Sequence, residues 1–370
     1  MIAGQPAQPS RRRILFALPD LEVGGAQRVM LTLLRHLSRD RFEPHLALVQ
    51  RRGQFLGDVP SDVQVHHLGA ARVRSAAAPL FSLVWRLRPH VIQSTLSYLN
   101  AYVLLLRPFL PPATRLVVRE CTATSTARQS WRWPRLAGFG LGLLYRQADA
   151  VLCQSHAMRE DLARHFGVPR GRMRVIYNPI DVPRVRAAAA VDGSPLASAG
   201  PGPHIVVLGR IATVKGFDAA IHALPALRQL FPDAQLWIVG EEDEGGTVQR
   251  ELMALGEARG VAAHVHFTGY TANPYRYLKH ADLFVLPSRA EALSNALLEA
   301  LACGCPVVAL DSPGGTREAM ELAKQAHRLR TTLEWDREWF RGAAPSATPD
   351  LSAFSVSRAL GEYEDLLASL

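Results

Sequence analysis

The stretch LFVLPSRAEALSNALLEALACGCPVVAL, residues 283–310, reads as a strand, a loop, a helix and a second strand. Leu283 to Leu286 is a short apolar run that Pro287 brings to an end. A loop carrying Glu291 leads into a helix that bears Glu299 and closes at Gly304, and Pro306 to Leu310 opens the next apolar run. Working outward, the same alternation fills nearly the whole chain. In the first half, strands are expected at Ile14–Pro19, His45–Gln50, Val63–Leu68, His90–Ser94, Arg115–Arg119, Ala150–Gln154 and Arg174–Tyr177. Helices are expected at Ala26–Leu37, Ala78–Leu87, Leu99–Arg107, Arg135–Arg146 and His156–Phe166. A second series follows at Ile205–Gly209, Gln235–Gly240, His264–Phe267, Leu283–Leu286 and Pro306–Leu310. Strands alternating with helices give parallel sheets wrapped in helices. Between the series, Gly193-Ser194-Pro195 and Gly200-Pro201-Gly202-Pro203 have linker composition. The expected architecture is α/β: a Rossmann-like domain over 1–185, a linker over 186–203 and a second Rossmann-like domain over 204–370, facing each other across a cleft.

The composition agrees. The chain has 370 residues, enough for two such cores, with 48% hydrophobic and 20% charged residues. The net charge of +9 is divided unevenly: residues 1–185 carry 26 Arg against 11 Asp+Glu, and the remainder carries 16 Lys+Arg against 22 Asp+Glu. A basic first half points to an anionic partner, either acidic lipid headgroups or a phosphate-bearing substrate. Nucleic acid is set aside because no helix-turn-helix, zinc-finger or RNA-recognition pattern is present. The four cysteines, Cys121, Cys153, Cys303 and Cys305, fit neither a disulfide framework nor a zinc site and read as small buried residues of a reducing compartment. Ile14 to Leu18 is too short for a signal-peptide core, and Tyr98 to Leu110 is broken by Arg107 and Pro108. A cytoplasmic protein is expected.

Three motifs carry chemistry. Gly24-Gly25 follows the opening strand and opens a helix, where a backbone can approach an anion; it lacks the G-x-G-x-x-G of nicotinamide binding, and a tight turn is the equal alternative. Arg210 and Lys215 follow the first strand of the second series, at the sheet end where open α/β folds bind ligands. A planar fork and a mobile point charge suit a diphosphate, whereas solvated surface cations are the alternative. Glu291 and Glu299 are eight residues apart, about 12 Å if helical, so both could line one groove. The backbone N–H groups over Ala292, Leu293, Ser294 and Asn295 lie at the helix start, where a phosphate would be held.

In this order and spacing, joined by Gly304-Cys305-Pro306-Val307-Val308, Pro313-Gly314-Gly315-Thr316-Arg317-Glu318 and Tyr177-Asn178-Pro179-Ile180-Asp181, the motifs resemble the retaining glycosyltransferases of family 4, which have the GT-B fold. The resemblance covers roughly residues 13–320 and a piece near 354–367. It implies a nucleotide-diphosphate sugar as co-substrate and a glycan or lipid-linked glycan as acceptor, in cell-envelope polysaccharide synthesis. It also implies that the first domain holds the acceptor and the second the nucleotide sugar. By position, Gly25 would approach the donor diphosphate, and Arg210 and Lys215 would neutralise it in place of a metal, so no metal is expected. Glu291 would bond the transferred sugar and Glu299 the ribose. Electrostatic stabilisation of the leaving group would supply most of the catalysis. The rivals are a catalytically silent relative and a nucleotide-sugar epimerase.

Three places depart from the pattern or extend it. Where many relatives carry a histidine, this chain reads Arg119-Glu120-Cys121-Thr122; Glu120 contacts sugar or acceptor, or pairs with Arg119. His156 opens a helix and reads as a capping or surface residue. Residues 322–350 are polar and Trp/Arg-rich, without strand alternation, so the second domain is expected to be shortened, with an incomplete sheet edge. Trp131-Arg132-Trp133-Pro134-Arg135 with the apolar run to Tyr145 reads either as a basic-flanked core helix or as a surface meeting an anionic membrane on its cytoplasmic face. The charge of the first half favours the membrane.

Overall fold

A computed structural model describes residues 11–121, 134–242, 245–340 and 348–370. Two compact units emerge: one ends at Pro179 and takes in Val356–Leu370, the other runs Ile180–Ser355.

The first unit is built on β1 (Arg12–Leu18), β2 (Phe42–Leu48), β3 (Gln64–His67), β4 (Val91–Thr95), β5 (Arg115–Arg119), β6 (Ala150–Cys153) and β7 (Met173–Val175). They form one sheet in the order β3-β2-β1-β4-β5-β6-β7, every pair parallel. The connecting helices are α1 (Gly25–His36), α2 (Ala77–Leu87), α3 (Ser97–Leu105), α4 (Pro134–Tyr145) and α5 (His156–Phe166). The central strands are covered on both faces, so they read as unbroken apolar runs: Ile14 to Leu18 is buried at every position.

The second unit has α6 (Val182–Ala189), β8 (His204–Leu208), α7 (Phe217–Leu230), β9 (Gln235–Val239), α8 (Val248–Ala258), β10 (Val265–Gly269), α9 (Tyr275–His280), β11 (Leu283–Leu286), α10 (Asn295–Ala302), β12 (Val307–Leu310), α11 (Thr316–Leu322) and β13 (Leu329–Arg330). Its sheet order, β10-β9-β8-β11-β12-β13, is again wholly parallel. Both sheets reverse direction beside their first strand, between β1 and β4 and between β8 and β11, which is the doubly wound Rossmann arrangement.

Three expectations need correcting. Residues 186–203 are not a free linker: α6 starts at the Asp181 cap, and Arg186 Nε donates to Ala302 O at 3.1 Å. Asn273 Nδ2 donates to Ala188 O at 2.7 Å, so this segment is tied down within the second unit. The C-terminal helix, α12 (Val356–Ser369), belongs to the first unit, because Ala359, Tyr363 and Leu367 enter the core formed by β1, β2 and α1. The sheet edge beyond β12 is occupied by β13, whose two residues are too few to show periodicity in sequence. Trp339, with Trp335 and Phe340 beside it, then packs into the second core. Residues 341–347 lie outside the described residues.

Candidate functional site

The loop after β11 lies at the carboxyl edge of its sheet, at the point of reversal, and two other loops lace it in place. Glu291 N donates to Pro313 O at 3.1 Å and Gly315 N donates to Glu291 O at 2.8 Å, an isolated bridge between Glu291 and Gly314. Gly314 has φ +111°, and a Cβ there would stand 1.7 Å from Glu291 O, so only glycine allows this approach. On the other side, Arg289 N donates to Val214 O at 2.8 Å, and its guanidinium reaches Thr213 O and Asp218 Oδ2. Gly216 (φ +66°) lets the Thr213–Lys215 turn press against Pro287 O, where a Cβ would come within 2.1 Å.

This lacing brings Lys215 to Glu291. Lys215 Nζ lies 2.7 Å from Glu291 Oε1, and Ser288 Oγ donates to the same oxygen at 2.7 Å. Glu291 is buried and Lys215 about a quarter exposed. A lysine whose ammonium is fixed by one buried carboxylate retains further N–H donors for an anion, while Oε2 receives neither of these two bonds. Arg210 is exposed just beyond β8.

Ser294 caps α10, accepting from Leu297 N at 3.4 Å, so Leu293 to Asn295 do lie at a helix start; Ala292, Leu293 and Ser294 are buried and Asn295 half-buried. The Glu291-to-Glu299 spacing is not two helical turns, because Glu291 sits in the Gly314 bridge and the helix begins only at Asn295. Glu299 is buried within α10; burial, with this carboxylate nearby, pushes the Cys303 thiol up to about 12.

In the first unit, Gly24 is the N-cap of α1 at the carboxyl end of β1, and Gly25 is its first residue. Gly24 has extended backbone; a Cβ there would meet Gln27 Oε1 at 2.3 Å, a flexible neighbour. Glu120 is fully buried beyond β5. Its Oε2 accepts from Tyr145 Oη at 2.5 Å, and its Oε1 from Ser97 Oγ at 2.7 Å and Cys121 N at 2.8 Å. Gln154 Nε2 donates to Glu120 O at 2.8 Å, and Gln154 Oε1 accepts from Asn178 Nδ2 at 3.1 Å; Arg119 Nη2 donates to Asn178 Oδ1 at 2.6 Å. Adjacent strands thus end in one connected, buried polar network, with Arg119 and Glu120 both part of it. Burial beside Glu120 holds the Tyr145 hydroxyl well above its usual value. His156 is exposed behind the Ser155 cap of α5, which accepts from Met158 N at 3.1 Å. The Trp131–Trp133 segment lies outside the described residues.

Sequence reasoning missed Ser288, Arg289 and Tyr145. Ser288, just past an apolar strand and the Pro287 that ends it, carried a usable signal, whereas Tyr145 lies 25 positions from its partner at the end of an apolar helix and carried none.

Two doubly wound units, each with a wholly parallel sheet, agree with a GT-B architecture, and comparison with known proteins supports it. The family profile for glycosyl transferases group 1 matches residues 202–331, and that for glycosyltransferase family 4 matches residues 23–184. The N-acetylgalactosamine-N,N'-diacetylbacillosaminyl-diphospho-undecaprenol 4-alpha-N-acetylgalactosaminyltransferase of Campylobacter jejuni is 31% identical over 306 residues, 80% of each chain. The lipopolysaccharide core biosynthesis glycosyltransferase LpsE of Rhizobium meliloti is 28% identical, over 79% of this chain and 77% of its own. Among solved structures, Anabaena Alr3699/HepE in complex with UDP-glucose superposes with a TM-score of 0.80 at 20% identity, covering 97% of this chain and 100% of that one. The chain therefore belongs to glycosyltransferase family 4, group 1, with the GT-B fold.

Proposed function

We propose that this glycosyltransferase moves a sugar, with retention of anomeric configuration, from a nucleoside diphosphate donor to a hydroxyl of a lipid-linked glycan at a cytoplasmic membrane face. The observation that carries the reading is the Lys215–Glu291 pair at the point of sheet reversal. Lys215 and the exposed Arg210 face the developing charge of the departing diphosphate, as preorganised cations do in such reactions. Glu291 holds Lys215 through one oxygen and accepts a sugar hydroxyl with the other. Glu299 bonds the ribose, the start of α10 takes phosphate, and no metal is required. Donor contact by Gly24 and Gly25 rests on the family pattern. The names of the Campylobacter and Rhizobium relatives support a glycan acceptor of the cell envelope, and the Anabaena complex supports a nucleotide-sugar donor. The odd composition of residues 322–350, the motive for a silent relative, coincides with ordered packing around Trp335 and Trp339.

Incubation with a panel of nucleotide sugars and a polyprenyl-diphosphate-linked glycan, with released nucleotide followed by mass spectrometry, tests the reading. Lys215→Ala, Arg210→Ala and Glu291→Ala should each lower turnover by about a hundredfold, about 3 kcal/mol of transition-state stabilisation. Wild-type rates in all three would dismiss this mechanism.

A further inference from the structure

Among the described residues, every strongly exposed aromatic side chain lies in the first unit, between Phe81 and Phe139; the second unit exposes only Val191, Val214 and Met253 of its large apolar residues. Part of that set is contiguous. On α2, the rings of Phe81 and Trp85 are 6.1 Å apart and each residue is 38% exposed. Trp85 Nε1 donates to Phe109 O at 3.0 Å, joining α2 to the turn after α3; Phe109 in that turn is 64% exposed, and Leu105, the last residue of α3, is 55% exposed. Arg88 lies over the Trp85 ring at 4.1 Å, and Arg86 is exposed next to it in the chain. Residues 63–119 contain seven arginines and no aspartate or glutamate; Arg107 and Arg115 pair with Asp149 and Arg119 is buried, while Arg72, Arg74, Arg86 and Arg88 are exposed.

We infer that the face formed by α2 and the Arg107–Phe109 turn is an interfacial docking surface for an anionic lipid bilayer, with Phe81, Trp85 and Phe109 entering the headgroup boundary and Arg86 and Arg88 meeting phosphates. Exposed rings beside cations match that boundary, where aromatic bodies are buried and guanidinium groups stay with the headgroups. A second copy of the chain is a poorer occupant, because two such faces would bring the exposed Arg86 and Arg88 of one copy against those of the other. The surface lies away from Lys215 and Glu291 in the chain and depends on the proposed acceptor only in that a membrane-held substrate would profit from it.

Flotation with phosphatidylcholine vesicles, with and without phosphatidylglycerol, tests the surface. Wild type should co-float with the anionic vesicles, and an Arg86→Glu/Arg88→Glu variant should bind them at least about tenfold more weakly. Phe109→Ser should also weaken binding, and brominated lipid should quench a fluorescence component that Trp85→Phe removes. Both docking variants should transfer sugar to a short-chain, water-soluble acceptor at the wild-type rate and lose activity on vesicle-embedded acceptor. Wild type staying at the bottom of the gradient, variants floating like wild type, variants failing on a soluble acceptor that wild type uses, or a concentration-dependent dimer abolished by the same substitutions would each overturn the inference. Flotation by a wild type inactive on every acceptor would sink the proposed reaction and leave the surface standing.

Discussion

Glu120 shows what a single side chain can and cannot disclose. An acid two positions after the apolar run Leu116–Val118 marks a strand end, and that much is readable from position. The hydroxyl that holds it, Tyr145, comes from a helix 25 residues on, and no local pattern announces such a pair. Because the contact is buried, Tyr145→Phe should cost about 1–3 kcal/mol in urea unfolding, the penalty of removing one partner from a buried hydrogen bond. Adding Glu120→Gln should change stability by less than the sum of the single effects, which a double-mutant cycle measures. The linkage to pH has a definite sign. Burial raises the Tyr145 pKa above its ordinary value of 10.0 and the Cys153 thiol from 9.0 to about 12. Both groups are neutral in the folded protein and ionise more readily in the unfolded chain. Their contribution is full below the unfolded values and is lost as pH rises through about 9–10 toward the folded ones. Thermal melts at increasing pH should show Tm falling in that range, with the thiol part removed by Cys153→Ala.

At the scale of elements, strands were readable because parallel strands covered on both faces must be apolar runs, and their ends moved by at most three residues, the largest shift being the start of β2 at Phe42. Two things stayed hidden. The edge strand β13 is two residues long, too short for any period. The loop lacing around Glu291 depends on backbone atoms of three separate loops, which composition does not record. The glycines at those crossings can be ranked by what surrounds them. At Gly314 an added methyl meets Glu291 O at 1.7 Å with φ +111°, whereas at Gly304, with φ +75°, nothing stands within 4 Å. Gly304→Ala should therefore cost only the left-handed backbone penalty, about 1 kcal/mol. Gly314→Ala must in addition push the Glu291 loop away from its partner, displacing the carboxylate that holds Lys215. It should cost more in stability and, unlike Gly304→Ala, lower kcat for sugar transfer. Equal effects of the two substitutions on kcat would show that the lacing does not position Glu291.

For the whole molecule, the C-terminal helix has consequences that a division at residues 186–203 conceals. The last fifteen residues fold with the first unit although the second precedes them in the chain. Tyr363 and Leu367 of α12 are almost fully buried in a core shared with β1 and α1, and Glu364 accepts from Ser38 N at 2.8 Å and pairs with Arg41 at 3.1 Å. The sequence resemblance near 354–367 identified a helix but not its destination, since an amphipathic pattern reveals that a face is buried and not what buries it. Truncation after Ser355 removes two large core side chains worth about 1.5–3 kcal/mol each, with the capping of Ser38 lost as well. That is a large share of the roughly 5–15 kcal/mol that holds a domain together. Hydrogen exchange by mass spectrometry should show faster exchange in β1, α1 and β2 of the truncated chain, while β8, β11 and α10 keep their protection because their core, from Ile205 to Trp339, contains no residue of α12. On the proposed reading, in which the second unit holds the donor, its nucleotide binding should survive the truncation even as sugar transfer is lost. Uniform deprotection of both sheets would mean instead that the two units unfold as one.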